Sequence, residues 1–332
     1  MNRASNVHPV RPRSLRAAAA RLRRGELVAF PTETVYGLGA NALDEKAVAK
    51  IFAAKGRPRD NPMIVHVSDS KMLKRVVRGV PALASRLIAR FWPGPLTLLL
   101  PRKPSIPSLV SAGLDTVAVR MPQGLARDLI RLAGVPIAAP SANLSGRPSP
   151  TTAAHVAEDF PDVYVLDGGP TKHGVESTVI ALTPRPAILR QGAVTEEQLK
   201  EYLPRVRGGV GARRRLRATA PTTTSGAVSP GTKYKHYAPS RPLILFRSKP
   251  PLFAYAEAHP DALVLCPGWL APFFAASRVV PLGDSIEEVA RSVFAALRTR
   301  RKGTELLVLA VPRRGLGRAV MDRLERAATR II

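Results

Sequence analysis

The sequence predicts an α/β fold, and three observations support this prediction. Short runs rich in aliphatic and β-branched residues alternate with stretches in which apolar residues recur every three or four positions. Glycine, proline and small polar residues separate these segments. The chain has 332 residues, 45% of them hydrophobic, which is enough for two cores. We therefore expect two α/β domains, over residues 14–204 and 240–332, joined by a linker over 205–239.

The first predicted domain begins with a helix over residues 14–24, which leads directly into the first strand. Strand-like and helical stretches then alternate up to residue 203, and residues 186–189 are also strand-like. The main predicted strands are 27–30, 63–67, 96–100, 116–120, 137–139, 163–166 and 177–182.

A helix that ends at Lys55 is predicted from both of its ends. Asp44 is a good N-cap residue, and Gly56 suits the left-handed conformation that often follows a helix. Between them, apolar residues fall on one face, namely Ala47, Val48, Ile51 and Phe52.

The turn after this helix carries three cations, Lys55, Arg57 and Arg59. Pro58 and Pro62 prevent the helix from continuing and stiffen the turn. Lys55 lies in the last helical turn, where a cation suits the negative end of the helix dipole. The cluster suggests a site for a polyanion, and ordinary solvated surface charge is the alternative interpretation.

The second predicted domain follows a linker without periodicity. The linker contains a glycine-rich stretch, an arginine run and a threonine run, and it ends in the motif SPGTKYKHYAP at 229–239, which is not typical of linkers. Residues 240–332 carry a capping box of Ser285 and Glu288 before a helix. Strands alternate with helices here too, which predicts a small parallel sheet with strands at 243–246, 262–265, 278–282 and 305–311.

Charge and cysteine content limit the function classes. A formal net charge of +27 favours an anionic partner such as a nucleotide, a nucleic acid or a membrane surface, but biased base composition of the genome explains arginine spread along the chain equally well. Cys266 is the only cysteine, which excludes an internal disulfide framework and a cysteine-based zinc site. No apolar run approaches the roughly 18 residues of a membrane span. We expect a cytoplasmic protein with no membrane partner.

Two familiar nucleotide-binding motifs do not account for the chain. Residues 37–42 match a loose G-x-G-x-x-A pattern, but they do not sit at an immediate strand-to-helix turn and no clear βαβ unit follows. The sequence contains no G-x-x-x-x-G-K-[ST] loop. A bound nucleotide must therefore be held in another way.

Small polar residues gather after several predicted strands. Ser141, Asn143 and Ser145 follow an apolar strand, at the strand end where open α/β sheets usually bind ligands. Residues 174–178 form a similar entry to a strand, and an ordinary turn is the alternative in both cases. His66 lies within a strand, where a histidine is more often satisfied in the core than bound to a ligand.

Taken together and in order, these segments closely resemble the YrdC-like threonylcarbamoyl-AMP synthase family. The resemblance covers nearly all of the chain from about residue 14, and the SPGTKYKHYAP motif followed by an α/β domain resembles the long form of the family. The segments that carry it are PTETVYGLGANA, KGRPRDNP, WPGPLTLLL, AGLDTVAVRMP, GVPIAAPSANLSGRPSPT, DGG, GVESTVI and ILRQGAV.

The resemblance implies a fold and a reaction. The expected fold is a YrdC-like twisted, open, mixed sheet with flanking helices, plus a smaller Rossmann-like α/β C-terminal domain. The expected enzyme condenses L-threonine, bicarbonate or CO₂, and ATP into L-threonylcarbamoyl-AMP and releases pyrophosphate. Downstream threonylcarbamoyl transferase machinery then modifies an adenosine of tRNA.

Motif positions in the family imply the site residues. Lys55 and Arg57 are the expected catalytic cations beside the phosphates. The expected threonine contacts are Thr34, His66, Arg120, Ala139 and Ser177. The expected ATP contacts are Arg57, Asn61, Thr116, Ser141, Ser149, Arg190 and Tyr234.

Arg120 is expected to bind the threonine carboxylate with both arms of its guanidinium, which lysine cannot imitate. No protein ligand for a metal is expected, and Mg²⁺ is expected to be held mainly by phosphate oxygens. Glu33 and Glu176 receive no catalytic role.

Two other function classes stay open on the sequence alone. A basic RNA-binding module without turnover accounts for the charge and predicts strongly salt-dependent RNA affinity. The tRNA contact of an enzyme of this kind would use the same basic surface. A hydrogenase-maturation carbamoyltransferase shares the expected fold, but such proteins carry zinc-finger cysteines that are missing here.

Overall fold

Two β-sheets form the framework of the chain in a computed structural model, which describes residues 6–183, 185–208 and 236–332. The larger sheet is built from strands β1 (Val7–Pro9), β2 (Val28–Pro31), β3 (Tyr36–Asn41), β4 (Ile64–His66), β5 (Leu96–Pro101), β6 (Thr116–Arg120), β7 (Ile137–Ala138), β8 (Tyr164–Asp167), β9 (Thr178–Ala181), β10 (Ala187–Arg190) and β11 (Arg207–Gly208). The helices in this part are α1 (Pro12–Arg23), α2 (Glu45–Lys55), α3 (Ser70–Val76), α4 (Ala82–Phe91), α5 (Ser108–Ser111), α6 (Gly124–Ala133), α7 (Ala153–Asp159) and α8 (Glu196–Lys200).

The larger sheet is mixed, as the sequence predicts. Its strand order is β1-β8-β2-β3-β7-β4-β6-β5-β9-β10-β11. The pairs β2–β8 and β4–β6 are parallel, whereas β2–β3, β4–β7 and β5–β6 are antiparallel. This confirms the α/β class with a mixed sheet.

The second sheet is parallel throughout and confirms the prediction for the C-terminal part. It comprises β12 (Leu243–Phe246), β13 (Leu263–Cys266), β14 (Val279–Pro281), β15 (Leu306–Leu309) and β16 (Arg330–Ile331), in the order β14-β13-β15-β12-β16. Its helices are α9 (Lys249–Ala258), α10 (Ile286–Leu297) and α11 (Gly317–Ala327).

Alternation along the central strand β12 builds a three-layer unit. Leu243 and Leu245 belong to a core shared with α10 and α11, and Ile244 and Phe246 belong to a second core shared with α9. Successive residues of a strand point to opposite faces, so helices cover both faces of this sheet.

The helix caps lie where the sequence predicts them. The Asp44 carboxylate accepts hydrogen bonds from the backbone N–H groups of Lys46 and Ala47 at 2.9 and 3.2 Å. Gly56 adopts φ 58° and ψ 38°, so α2 ends at Lys55. Ser285 and Glu288 form the expected capping box at the start of α10. These local signals set both ends of α2 and the start of α10.

Residues 37–42 were expected not to form a dinucleotide-binding turn, and the structure places Gly37 and Gly39 inside β3. A Cβ atom on Gly39 would lie 2.6 Å from Phe30 Cε1 and 2.8 Å from Ile137 Cγ2. Glycine at position 39 therefore permits close packing within the sheet.

The boundaries of the predicted linker stay a prediction. Strand β11 lies inside the stretch 205–239 and pairs with β10, which precedes that stretch. Residues 209–235 lie outside the described residues. Among the residues that the structure describes, no helix is long and apolar enough to cross a membrane.

Candidate active site

A cleft that is partly open to solvent lies beside β3 and β7. The turn between β2 and β3 forms one wall, and the loop after β7 and the residues before β9 form others. Ten of the predicted site residues line it, namely Thr34, Lys55, Arg57, His66, Arg120, Ala139, Ser141, Ser149, Ser177 and Arg190.

Arg120 is held in a fixed position at the end of β6. Its Nη2 pairs with the Glu33 carboxylate at 2.6 Å, Nη1 donates to Thr34 Oγ1 at 2.9 Å, and Nε donates to the Gly94 carbonyl at 3.2 Å. Both charged side chains are buried, since 4% and 5% of their surfaces are exposed. Arg120 therefore has one compensating carboxylate from the protein, a partner that the sequence prediction did not foresee.

His66 lies beside Arg120, because β4 and β6 pair in parallel with these two residues in register. Burial, reinforced by the positive charge of Arg120, lowers the pKa of His66 to about 3. His66 is thus neutral near pH 7, and its Nδ1 has no hydrogen-bond partner among the residues that the structure describes. A neutral imidazole of this kind can offer a hydrogen bond to a ligand but carries no charge.

Ser177, just before β9, contacts Thr97 of β5 and Arg190 of β10. Its hydroxyl lies 2.8 Å from Thr97 Oγ1, and Arg190 Nη2 donates to the same hydroxyl and to the Ser177 carbonyl, both at 3.0 Å. All three side chains are buried. The guanidinium thereby fixes the entry to β9 at the floor of the cleft.

Lys55 organises the loop after β7. Its Nζ donates to the carbonyl oxygens of Ser141, at 2.6 Å, and of Asn143, and only 3% of the residue is exposed. Burial, followed by the nearby charge of Arg57, lowers the pKa of Lys55 well below its ordinary value. The ammonium group is directed at the loop backbone.

Arg57 binds its own turn. Its Nε donates to the Asn61 carbonyl at 3.2 Å and its Nη2 to the Pro62 carbonyl at 2.8 Å. The side chain lines the cleft and is half-buried, whereas Arg59 is exposed and does not line it. Of the three cations in the predicted polyanion turn, Lys55 and Arg57 reach the cleft.

Glu176, which receives no catalytic role from the sequence, is a carboxylate that lines the cleft. It accepts a hydrogen bond from Ser149 Oγ at 2.7 Å, and Arg323 of α11 binds its other oxygen at 2.9 Å. Burial alone would raise the pKa of Glu176, but Arg323 and Arg190 reverse this and lower it. Glu176 is therefore ionised at neutral pH.

Three predicted ATP contacts are not among the cleft residues. Asn61 is buried within the turn that follows α2, and Thr116 pairs with Pro101 at the far end of β6. Tyr234 lies outside the described residues. The neighbouring His236 and Tyr237 do line the cleft, and the Ala238 N–H donates to the Gly146 carbonyl at 2.8 Å. The end of the SPGTKYKHYAP motif thus reaches the cleft, through residues that were not among the predicted contacts.

The chain matches two family models. A model described as "Telomere recombination" matches residues 20–192, and one described as "Threonylcarbamoyl-AMP synthase, C-terminal domain" matches residues 194–329. The two matches together cover both sheets except for the edge strands β1 and β16.

Individual relatives agree with these models along most of their length. A threonylcarbamoyl-AMP synthase of Pyrococcus abyssi is 46% identical over 329 residues, which is 95% of this chain and 94% of the relative. One of Bacillus subtilis is 44% identical and covers 94% of this chain and 92% of the relative. A crystal structure of P. abyssi Sua5 complexed with L-threonine superposes with a TM-score of 0.87 at 44% identity, covering 98% of each chain.

Proposed function

The chain belongs to the threonylcarbamoyl-AMP synthase family in its long form, and on that premise we propose that it is an L-threonylcarbamoyladenylate synthase. The proposed reaction joins L-threonine, bicarbonate or CO₂, and ATP, and releases pyrophosphate. As in its relatives, the activity is that of a transferase, which moves the adenylyl group of ATP onto a threonine-derived carbamate.

One observation carries this proposal. A single cleft brings the hydroxyl, imidazole and guanidinium groups around Arg120 together with Ser141, Ser149 and the cationic turn at Lys55 and Arg57. The first group offers hydrogen bonds suited to an amino acid, and the second offers donors suited to phosphates. Two substrates bound side by side in one cleft would lie close enough to react.

The proposed chemistry needs positioning and positive charge more than a protein nucleophile. The amine of threonine attacks CO₂ to give a carbamate, and a carbamate oxygen attacks the α-phosphorus of ATP in line. The bond from that phosphorus to the bridging oxygen breaks, and pyrophosphate leaves with the electron pair. Cations and fixed donors stabilise the charge that builds on the leaving group.

The contacts refine the roles proposed for individual residues. Thr34, His66, Arg120, Ala139 and Ser177 are the proposed threonine contacts. Because Arg120 pairs with Glu33, its buried charge has a compensating carboxylate from the protein, and its guanidinium is held in place for the threonine carboxylate.

On the nucleotide side, Arg57, Ser141, Ser149 and Arg190 are the proposed ATP contacts. The ammonium group of Lys55 donates hydrogen bonds to the backbone of residues 141–143, and Lys55 is proposed to hold this backbone in place beside the nucleotide. Asn61 and Thr116 do not line the cleft, so they stay proposed contacts that require movement of the turn or strand end.

Mg²⁺ is proposed to enter as part of the ATP substrate. Within the ranges that the structure describes, no group of three histidine, cysteine, aspartate or glutamate residues could hold a metal ion. Glu176 is already bound by Arg323 and Ser149, so phosphate oxygens are the better donors for this ion. The cytoplasm, where ATP and free threonine are abundant, is the proposed compartment.

Partners beyond the small substrates follow from the proposed product. A mixed anhydride of this kind must be consumed by a transferase that passes the threonylcarbamoyl group to tRNA, and the strongly basic surface is a proposed contact for RNA. A purely RNA-binding role without turnover is not favoured, because membership of an enzyme family accounts for both parts of the chain.

The test is release of pyrophosphate by the purified protein. We expect release that needs threonine, bicarbonate and ATP together, and loss of release when any one of them is omitted. Release that is independent of threonine, or salt-sensitive RNA binding with no release, would contradict the proposal.

A further inference from the structure

Arg323 crosses from the C-terminal sheet to the cleft. It lies on α11 and is fully buried. Its Nε and Nη2 both lie 2.9 Å from Glu176 Oε2, and its Nη1 donates to the Gln191 carbonyl at 2.5 Å. Both acceptors belong to the part of the chain built on the larger sheet. A single side chain thus links the two sheets at the edge of the cleft.

Glu176 transmits this contact to residues that line the cleft. Its second oxygen accepts the hydroxyl hydrogen bond of Ser149, and the next residue, Ser177, is the one that Arg190 binds. An unbroken series of hydrogen bonds and one buried ion pair therefore runs from α11 through Glu176 to Ser149.

The charges around Glu176 come from three elements. Arg323 faces it from α11, with Asp322 paired to that arginine; Arg190 faces it from β10, and His236 and Tyr237 face it from the segment before β12. Burial opposes the ionised form, whereas the two arginines and the Ser149 hydroxyl favour it. Removing the closest cation should therefore raise the pKa of Glu176.

We propose that Arg323 is a positioning residue of the cleft, which holds Glu176 ionised and in place so that Glu176 can orient Ser149. The contribution of the C-terminal domain to the reaction is, in part, to supply this guanidinium. The kinetic side of the proposal rests on the proposed function, but the coupling of Arg323 to Glu176 does not.

The first test compares R323M with R323K in steady-state kinetics. Methionine keeps most of the apolar stem but leaves Glu176 without its closest cation, so Ser149 loses a well-placed acceptor. We expect KM for ATP to rise about 10- to 100-fold in R323M, with a smaller change in KM for threonine. R323K keeps the charge and should recover part of the loss.

Arg318 offers a matched control on the same helix. It forms an ion pair with Glu197 of α8 at 2.7 Å across the same interface, but the pair is partly exposed and lies away from the cleft residues. R318M should leave both KM values unchanged. Equal kinetic effects of R318M and R323M would show that the interface acts only by general stability, and would overturn the proposal.

The second test does not depend on turnover. Burial is the largest influence on the pKa of Glu176 and raises it, so in R323M we expect this pKa to exceed that of the unfolded chain. The folded state then binds a proton that the unfolded chain has released, and stability falls as pH rises through the range above pH 5. The thermal midpoint of R323M should therefore fall further below that of the wild type at pH 8 than at pH 5.5. The double variant R323M/E176Q carries no carboxylate at this position and should lose this extra pH dependence.

The outcomes separate the two proposals. If the wild type releases no pyrophosphate but R323M shows the pH-dependent midpoint, the proposed function fails and the coupling stands. If the midpoint difference between R323M and the wild type is the same at both pH values, or persists unchanged in the double variant, Arg323 does not act through Glu176.

Discussion

Arg298 allows the contribution of the interface between the two sheets to be measured in isolation. It follows α10, and its guanidinium donates to the Pro148 carbonyl at 3.0 and 2.6 Å and pairs with Asp159 at 2.7 Å. The arginine side chain is 6% exposed and the aspartate side chain is fully buried. R298M would leave Asp159 with Arg147, a side chain that is 49% exposed, as its remaining ion-pair partner among the described contacts.

Removing one partner of such a buried pair costs about 3–5 kcal/mol. An unfolding entropy of roughly 2.1 cal/mol/K per residue gives about 0.7 kcal/mol/K for a chain of 332 residues that unfolds as one unit. The expected fall in thermal midpoint is therefore about 4–7 °C, measurable by calorimetry or circular dichroism.

Arg300 is the matched control. It pairs with Glu158 at 2.7 Å, but its side chain is 79% exposed. Exposed pairs contribute at most about 1 kcal/mol, so R300M should lower the midpoint by no more than about 1 °C. Similar small shifts in R298M and R300M would refute the view that the buried pair stabilises the interface.

Two further predictions concern residues of the cleft. R57A should lower the rate of pyrophosphate release by about 100-fold or more, since a fixed cation beside the leaving group is lost, with little change in thermal midpoint; a large loss of stability would instead make Arg57 structural. Burial lowers the pKa of His66 from its ordinary value of 6.5 to about 3 in the folded chain. Stability should therefore fall as pH drops below about 6.5, by up to about 1.4 kcal/mol per pH unit. H66Q should make the free energy of unfolding, measured by urea titration, less steep in pH by about one proton between pH 6 and 4, and an unchanged slope would contradict the assigned environment.

Local signals made much of the fold predictable. The start of α2 is capped by Asp44 and its end is set by Gly56, and the start of α10 is capped by Ser285 and Glu288. These contacts reach only a few residues along the chain, so they could be predicted from spacing alone. The parallel C-terminal sheet could also be predicted, because strands that alternate with helices along a chain usually pair in parallel.

Contacts between distant residues were not predictable in this way. Glu176 and Arg323 are 147 positions apart, and nothing in either local sequence indicates that they pair. Likewise, lysine is a residue type that often binds phosphate, but Lys55 is buried against the Ser141 and Asn143 carbonyls. This burial depends on how β7 and α2 pack. The family resemblance predicted ten residues that line one cleft. It could do so because the members of a family share the same packing, although the motif itself does not explain that packing.

The mass of the reaction product tests the central proposal most directly. The purified protein would be incubated with ATP, Mg²⁺, L-threonine and ¹³C-labelled bicarbonate, and the nucleotide products analysed by mass spectrometry. The proposal predicts an adenylate with the mass of L-threonylcarbamoyl-AMP, heavier by one mass unit than the product formed from unlabelled bicarbonate. An adenylate of threonine that carries no label, or no new adenylate at all, would contradict it.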